Sequence, residues 1–156
     1  MLELRRKLLK GGSAALLAPL LGTGLLLPGR VIAAEWNRNA FTARSVTDAL
    51  KAHGSSSATE SREILINAPE IAENGAKVEI EITSNVPNTR SLALFADKNP
   101  MPLCTQIDFT APALPYARVQ IKLAETTRLR VVAKTSDNKT HIAFREVKVT
   151  LGGCGG

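Results

Sequence analysis

Hydrophobic residues in the middle and C-terminal parts of the chain recur at every second position, the period of a β-strand buried on one face. The clearest example is residues 77–83, where Val78, Ile80 and Ile82 alternate with charged or polar residues. Similar short runs, separated by Pro, Gly and Asn turns, cover residues 63–67, 91–96, 103–109, 116–123, 128–134 and 140–151. About seven short strands at this spacing predict an all-β fold, an Ig-like antiparallel β-sandwich.

A different period precedes the strands. Between residues 41 and 52 the apolar positions are Phe41, Val46, Ala49 and Leu50, a spacing that predicts one short amphipathic helix, which ends at Gly54. His53 is then expected to act as a cation at the C-terminal end of the helix dipole. A metal role is not favoured, because the other histidine has no Cys or Asp at ligand spacing, and no metal site is predicted.

The first residues have the composition of an export signal. A basic region contains the pair Arg5-Arg6, an apolar stretch follows from about residue 13 to 27, and small residues end at Ala33 and Ala34. Residues 1–34 are therefore predicted to be a twin-arginine signal that is cleaved after Ala33 or Ala34, which makes the mature protein periplasmic. The alternative is an uncleaved anchor, but the apolar stretch is shorter than the roughly 20 residues that span a bilayer.

The basic character of the chain belongs mostly to this leader. The whole chain has a formal charge of +6, with 20 basic and 14 acidic residues. Five of the basic residues and one acidic residue lie in the first thirty positions. The remainder is close to neutral, and only 4% of all residues are aromatic, so a nucleic-acid partner is not expected.

The chain ends in Gly152-Gly153-Cys154-Gly155-Gly156. Glycine on both sides of one cysteine gives a backbone with very few conformational restrictions. We therefore predict a flexible arm over residues 152–156 that presents the Cys154 thiol, attached to a sandwich domain over residues 35–151. From residue 151 to residue 154 an extended backbone reaches roughly 10 Å.

The second cysteine, Cys104, lies within a predicted strand and is expected to be a buried, inert thiol. A disulfide between Cys104 and Cys154 is the alternative in an oxidising compartment. It is disfavoured because a structural disulfide needs ordered Cβ positions on both sides, whereas one partner here lies among glycines.

Catalytic motifs are lacking. The sequence contains no nucleophile elbow, metalloprotease helix, phosphate-binding loop, dinucleotide fingerprint or CxxC pair. Asp97 and Asp108 are expected to be solvated rather than a paired acid and base. No His, Lys or Arg follows Leu151, so nothing in the arm activates the thiol. Cys154 is therefore predicted to carry chemistry that other proteins perform. No cofactor is expected.

Several of these segments resemble one known family. The terminal residues 147–156 (VKVTLGGCGG), residues 68–76 (APEIAENGA) and residues 98–103 (KNPMPL) are similar to the Y subunit of the Sox sulfur-oxidation system. The leader and the short helix fit the same family. The family pattern has a small apolar residue where Cys104 stands here.

The resemblance implies a non-catalytic carrier that forms a heterodimer with the Sox Z-type subunit. It implies that a c-type cytochrome pair joins Cys154 oxidatively to thiosulfate, forming a cysteine S-thiosulfonate. A hydrolase would then release sulfate and leave a persulfide, and in some organisms a sulfane dehydrogenase would oxidise the remaining sulfur.

Two other functions fit parts of the sequence. A ubiquitin-like sulfur carrier also ends in Gly-Gly, but the export signal and the number of strands argue against it. A secreted structural or interaction sandwich would use the terminal cysteine only for disulfide crosslinking.

Overall fold

The computed structural model describes residues 36–110 and 113–152. The predicted export signal, residues 1–34, lies outside the described residues. The helices are α1 (Arg38–Thr42) and α2 (Val46–His53). The strands are β1 (Thr59–Glu60), β2 (Ile64–Asn67), β3 (Ile71–Ala72), β4 (Val78–Ser84), β5 (Thr89–Ala96), β6 (Leu103–Asp108), β7 (Tyr116–Ile121), β8 (Thr127–Thr135) and β9 (Thr140–Val149).

The prediction of one helix over residues 41–52 is wrong in its extent, since two short helices meet at residues 43–45. The break is a capping site: the Ser45 hydroxyl accepts a hydrogen bond from the Asp48 amide at 3.1 Å and so begins α2. The end of α2 is as expected. Gly54 has a φ of +79° and its amide bonds the carbonyls of the last turn, a conformation that glycine adopts without strain.

The strands form two sheets, which confirms the predicted all-β sandwich. The larger sheet has the order β1-β9-β8-β5-β6, and the smaller has the order β2-β4-β7. All seven predicted strands are present, as β2 and β4–β9. The inward residues of both sheets, among them Ile80, Ile82, Leu94, Leu129 and Val131, make one buried core. In β4 the buried and exposed positions alternate along the whole strand, as the sequence period requires.

The prediction of a purely antiparallel sandwich needs one correction. Two strands of two residues each, β1 and β3, pair in parallel with the long strand β9. Thr59 lies opposite His141 near the start of β9, and Ile71 lies opposite Lys148 near its end. Between β1 and β3 the chain crosses to the smaller sheet as β2. Such short pairings are too brief to produce a hydrophobic period in sequence.

A second core lies on the outer face of the larger sheet, beneath the helices. Ala40 of α1 and Ala49 of α2 are completely buried against this face, which contributes Phe95, Val132 and Ile142. Alanine side chains let the helices approach the strands closely. The two helices therefore cover the part of the sheet that would otherwise expose Phe95. The sequence pattern showed only that this region is apolar on one side.

His53 is half-buried and contacts this second core through Phe95, and its predicted role as a helix-dipole cation is wrong. Its ring packs edge-on against Phe95, with the ring centroids 5.6 Å apart, and its Nδ1 lies 3.0 Å from the Ser55 hydroxyl. Burial lowers the pKa of His53 from its ordinary value of 6.5, and nearby Lys134 lowers it further, while Asp108 acts in the opposite direction. The neutral ring is the form that the fold accommodates.

We therefore expect the stability of the protein to fall as the pH drops below about 6.5. The unfolded chain binds a proton on His53 at a pH where the folded chain does not, so protonation favours unfolding. Urea denaturation between pH 7.5 and 5.5 measures this. In His53→Gln the loss over the same interval should be smaller, and an equal loss in both proteins would contradict the assignment.

Candidate functional site

The last described residues, 150–152, are held at one end of the sandwich, and we call them the tail root. The Thr150 amide donates to the Ala72 carbonyl at 3.1 Å, and the Thr150 hydroxyl donates to the Glu73 carbonyl at 2.9 Å. The Gly75 amide donates to the Leu151 carbonyl at 2.7 Å. Residues 150–152 are therefore hydrogen-bonded along the loop that follows β3. The pairing of β3 with the last residues of β9 places this loop beside them.

A second loop, residues 122–126, also supports the tail root. Leu123, which is fully buried, donates its amide to the Gly75 carbonyl at 2.7 Å. Gly152 lies directly against Ala124, and a Cβ at position 152 would overlap with the Ala124 carbonyl oxygen. Thr126 accepts a hydrogen bond from the Val149 amide through its hydroxyl at 2.9 Å. The sequence suggested that Gly152 serves for backbone freedom. The structure adds a second reason, because only glycine fits against the Ala124 carbonyl.

The contacts of the tail root consist of backbone amides, backbone carbonyls and threonine hydroxyls. None of these groups changes its protonation near neutral pH. They can fix the place and direction in which the chain continues, but they supply neither an acid nor a base. The dependence of Cys154 on other proteins for activation stays a prediction, since Cys154 lies outside the described residues.

Of the predicted arm residues only Gly152 is described. Gly153, Cys154, Gly155 and Gly156 lie outside the described residues, so the flexible arm and its thiol stay predictions. The expectation that Cys104 and Cys154 do not form a disulfide is likewise untested.

Cys104 is in β6, as predicted, but it is half-buried rather than fully buried. Its Sγ lies 3.5 Å from the Pro102 carbonyl oxygen and 3.7 Å from the side-chain Nδ2 of Asn99. It lines a groove of about 510 Å³ together with apolar side chains that include Phe41, Met101 and Ile121. The expectation of an inert core thiol is therefore only partly right.

The expectation that Asp97 is solvated is wrong. Its side chain is only 14% exposed. Arg130 forms a bidentate ion pair with the carboxylate, with Nε–Oδ1 at 2.6 Å and Nη2–Oδ2 at 2.8 Å. Arg128 bonds the same carboxylate at 3.2 Å. Both guanidinium groups also lie over the Phe144 ring. Asp97 is thus a structural ion-pair residue, while Asp108 is exposed as expected.

The described part of the chain contains neither a candidate metal site nor a candidate membrane-spanning helix. Within residues 36–110 and 113–152, no three His, Cys, Asp or Glu side chains are grouped so that they could hold a metal ion. In the same ranges no helix has both the length and the apolar character needed to cross a membrane.

Fold and site together define a β-sandwich that anchors residues 150–152 at one end. The family model for the sulfur oxidation protein SoxY matches residues 50–154. The chain belongs to the SoxY family. The resemblance inferred from the sequence is thereby confirmed.

Solved structures agree with this assignment. The chain is 35% identical to the sulfur carrier protein SoxY from Chlorobium limicola f thiosulfatophilum, with a TM-score of 0.62, and the match covers 70% of this chain and 96% of that one. A superoxide reductase (neelaredoxin) from Ignicoccus hospitalis is 19% identical, with a TM-score of 0.50, over 56% of this chain and 80% of that one.

A putative superoxide reductase from Thermotoga maritima is 16% identical, with a TM-score of 0.52, over 59% of this chain and 93% of that one. At this level of identity the two reductases indicate a shared sandwich fold and nothing about chemistry. A search of curated proteins finds no match.

The sequence did not reveal the residues that hold the tail root. Thr126 and Gly75 lie in loops about 25 and 75 positions before it in the chain, and no periodic pattern connects them. The one available signal was the similarity of the segment 68–76 to the family, because that segment contains β3 and the loop that binds Thr150 and Leu151.

Proposed function

We propose that this protein is a non-catalytic covalent carrier of sulfur intermediates in thiosulfate oxidation, with Cys154 as the carrying thiol. Membership of the SoxY family and the similarity to a sulfur carrier protein support this role. The structural observation that carries it is the tail root, which anchors the chain two residues before Cys154. An anchored base followed by Gly153 leaves the thiol able to enter a partner's active site while the sandwich remains outside.

The proposed cycle has two steps on the thiol. A c-type cytochrome pair removes two electrons as the Cys154 sulfur bonds to the terminal sulfur of thiosulfate, which gives the S-thiosulfonate and releases one proton. A hydrolase then adds water across the bond between sulfur and the sulfonate group. Sulfate leaves, and a persulfide remains on Cys154 for a possible sulfane dehydrogenase.

The proposed setting follows from the same family and from the leader. After removal of residues 1–34 the carrier would act in the periplasm as a heterodimer with the Sox Z-type subunit. The sandwich domain over residues 35–151 would supply the surfaces for partners, and residues 152–156 would supply the arm. This protein itself needs no cofactor in the scheme, because each redox step takes place on a partner.

Mass spectrometry of the natively purified protein tests the proposal. A sulfane adduct adds about 32 Da and a thiosulfonate adds about 112 Da to a cysteine. We expect one or both on the peptide that contains Cys154 after exposure to thiosulfate and the partner enzymes. An unmodified thiol under these conditions would rule the carrier role out, and a purely dimeric disulfide would instead indicate a crosslinking protein.

The peptide that contains Cys104 serves as the internal control in the same spectra. Cys104 is half-buried in a strand and has no mobile segment to carry it into another protein. We expect it to remain unmodified. Adducts on Cys104 and none on Cys154 would move the carrying site to the groove.

A further inference from the structure

Asn99 occupies a stiff turn between β5 and β6. Its amide donates to the Ala96 carbonyl at 3.1 Å, and the Ala96 amide donates to the Pro102 carbonyl at 2.8 Å. Pro100 follows directly and Pro102 is fully buried. Proline restricts φ to a narrow range, so the backbone that carries the Asn99 side chain has little freedom to move.

The Asn99 side chain reaches across to the loop after β7. Its Nδ2 donates to the Lys122 carbonyl at 2.8 Å, and its Oδ1 accepts from the Ala124 amide at 3.0 Å. One planar amide therefore holds two backbone groups on either side of Leu123. The two bonds use opposite ends of the amide, one as donor and one as acceptor.

Residues 122–124 are the loop on which the tail root rests. Leu123 bonds Gly75, Gly75 bonds the Leu151 carbonyl, and the Ala124 carbonyl is the surface against which Gly152 packs. A shift of residues 122–124 therefore changes the position of Gly152 through two separate contacts. Among the described residues no hydrogen bond joins Asn99 to residues 150–152, so the effect of Asn99 on the tail root passes through residues 122–124.

We propose that Asn99 is a positioning residue for the thiol-carrying arm, which it aims by fixing residues 122–124 against Gly152. The usefulness of this positioning rests on the proposed function, since a carrier must deliver one sulfur atom to several clefts. The positioning itself does not depend on thiosulfate chemistry and is measured without it.

The chemistry of the side chain makes the inference specific. Leucine has a similar size but neither donor nor acceptor. Aspartate can accept from Ala124, but as a carboxylate it cannot donate to the Lys122 carbonyl and would place a negative charge beside that oxygen. Once protonated, aspartic acid regains one donor. Asn99→Asp should therefore lie between Asn99→Leu and the native protein at neutral pH, and should approach the native protein near pH 3.5, below the ordinary Asp pKa of about 3.9.

Two measurements on the full mature chain report the effect. In a Cys104→Ser background, nitroxide labels on Cys154 and on Ser136→Cys, an exposed position directly after β8, give a distance distribution by pulsed EPR. Every variant and the reference carry this background, because Cys104 Sγ lies 3.7 Å from Asn99 Nδ2. Amide exchange by NMR follows the Gly75 and Thr150 N–H groups. We expect Asn99→Leu to broaden or shift the distance distribution and to speed exchange at these two amides about tenfold.

Asn37 provides a matched control. Its side chain also holds two backbone groups, with Nδ2 donating to the Ala52 carbonyl at 2.9 Å and Oδ1 accepting from the Ala40 amide at 3.2 Å. These contacts lie at the helices rather than at the tail root. Asn37→Leu should lower the melting temperature by a similar amount and leave the label distribution and the two amides unchanged.

The outcomes separate cleanly. Three results together support positioning. The distance distribution changes in Asn99→Leu and does not change in Asn37→Leu. In Asn99→Asp at low pH it returns to the distribution of the native protein at the same pH. An unchanged distribution overturns it, even if the two amides exchange faster. A similar change in Asn37→Leu overturns it as well, because the effect would then follow from general destabilisation.

Discussion

Cys154→Ser is expected to abolish thiosulfate-dependent electron transfer in the reconstituted system while leaving partner binding intact. A serine hydroxyl has a pKa far above neutral and cannot be oxidised to a bond with sulfur, so no intermediate can form on it. The side chains differ by a single atom, and the substitution lies beyond the tail root. Cytochrome reduction measures turnover, and calorimetric titration with the partner subunit measures binding.

Cys104→Ser is the matched control for this experiment. It makes the same chemical change in the other cysteine, on a strand instead of on the predicted arm. Turnover should remain within about twofold of the native protein, since a half-buried polar replacement affects stability more than chemistry. Turnover that survives in Cys154→Ser, or that disappears in Cys104→Ser, would contradict the assignment of the carrying thiol.

Gly152→Val is expected to reduce loading of Cys154 strongly while leaving the thiol chemically intact. The new Cβ would overlap with the Ala124 carbonyl oxygen, which belongs to the backbone and cannot rotate away. The chain must therefore shift, and the bond between Gly75 and Leu151 is the nearest one to break. We expect a loss of about 1–3 kcal/mol in stability, typical of overpacking, and a loss of about tenfold or more in kcat/KM for loading by the partner oxidase.

Leu151→Ala is the comparison variant. Leu151 is 65% exposed and contributes its backbone carbonyl, not its side chain, to the tail root. Its replacement should change stability by less than about 0.5 kcal/mol and loading by less than about twofold. Small molecule alkylation of Cys154 should proceed equally in both variants, which separates a loss of presentation from a loss of thiol reactivity. Normal loading of Gly152→Val would show that the root does not control the arm.

The part of the fold that could be predicted is the set of strands whose hydrophobic pattern recurs along the chain. The seven longer strands were recognised because their apolar residues either alternate or form short runs between turn residues. The short parallel strands β1 and β3 were missed, because two residues cannot show a period. The helical region was recognised, but its division at Ser45 was not, since a capping serine and an ordinary exposed serine look alike in sequence.

Errors at individual side chains share a cause. His53 was expected to be charged and Asp97 to be solvated, because histidine at a helix end and aspartate after a strand are usually exposed. In the folded protein Phe95 packs against the His53 ring, and Arg130 of β8 forms an ion pair with Asp97. Both environments come from residues more than thirty positions away in the chain, so neither could be inferred from local pattern.

The sequence by itself determined the strand pattern, the family, and the Gly-Gly-Cys-Gly-Gly terminus with no activating group after Leu151. Those features depend on residue type and spacing, which are local properties. Only the tertiary structure decided where that terminus leaves the domain. The loops at residues 72–75 and 122–124 meet at the tail root because β3 pairs with the end of β9 and the Leu123 amide bonds the Gly75 carbonyl. Only tertiary packing brings such distant segments into hydrogen-bond contact.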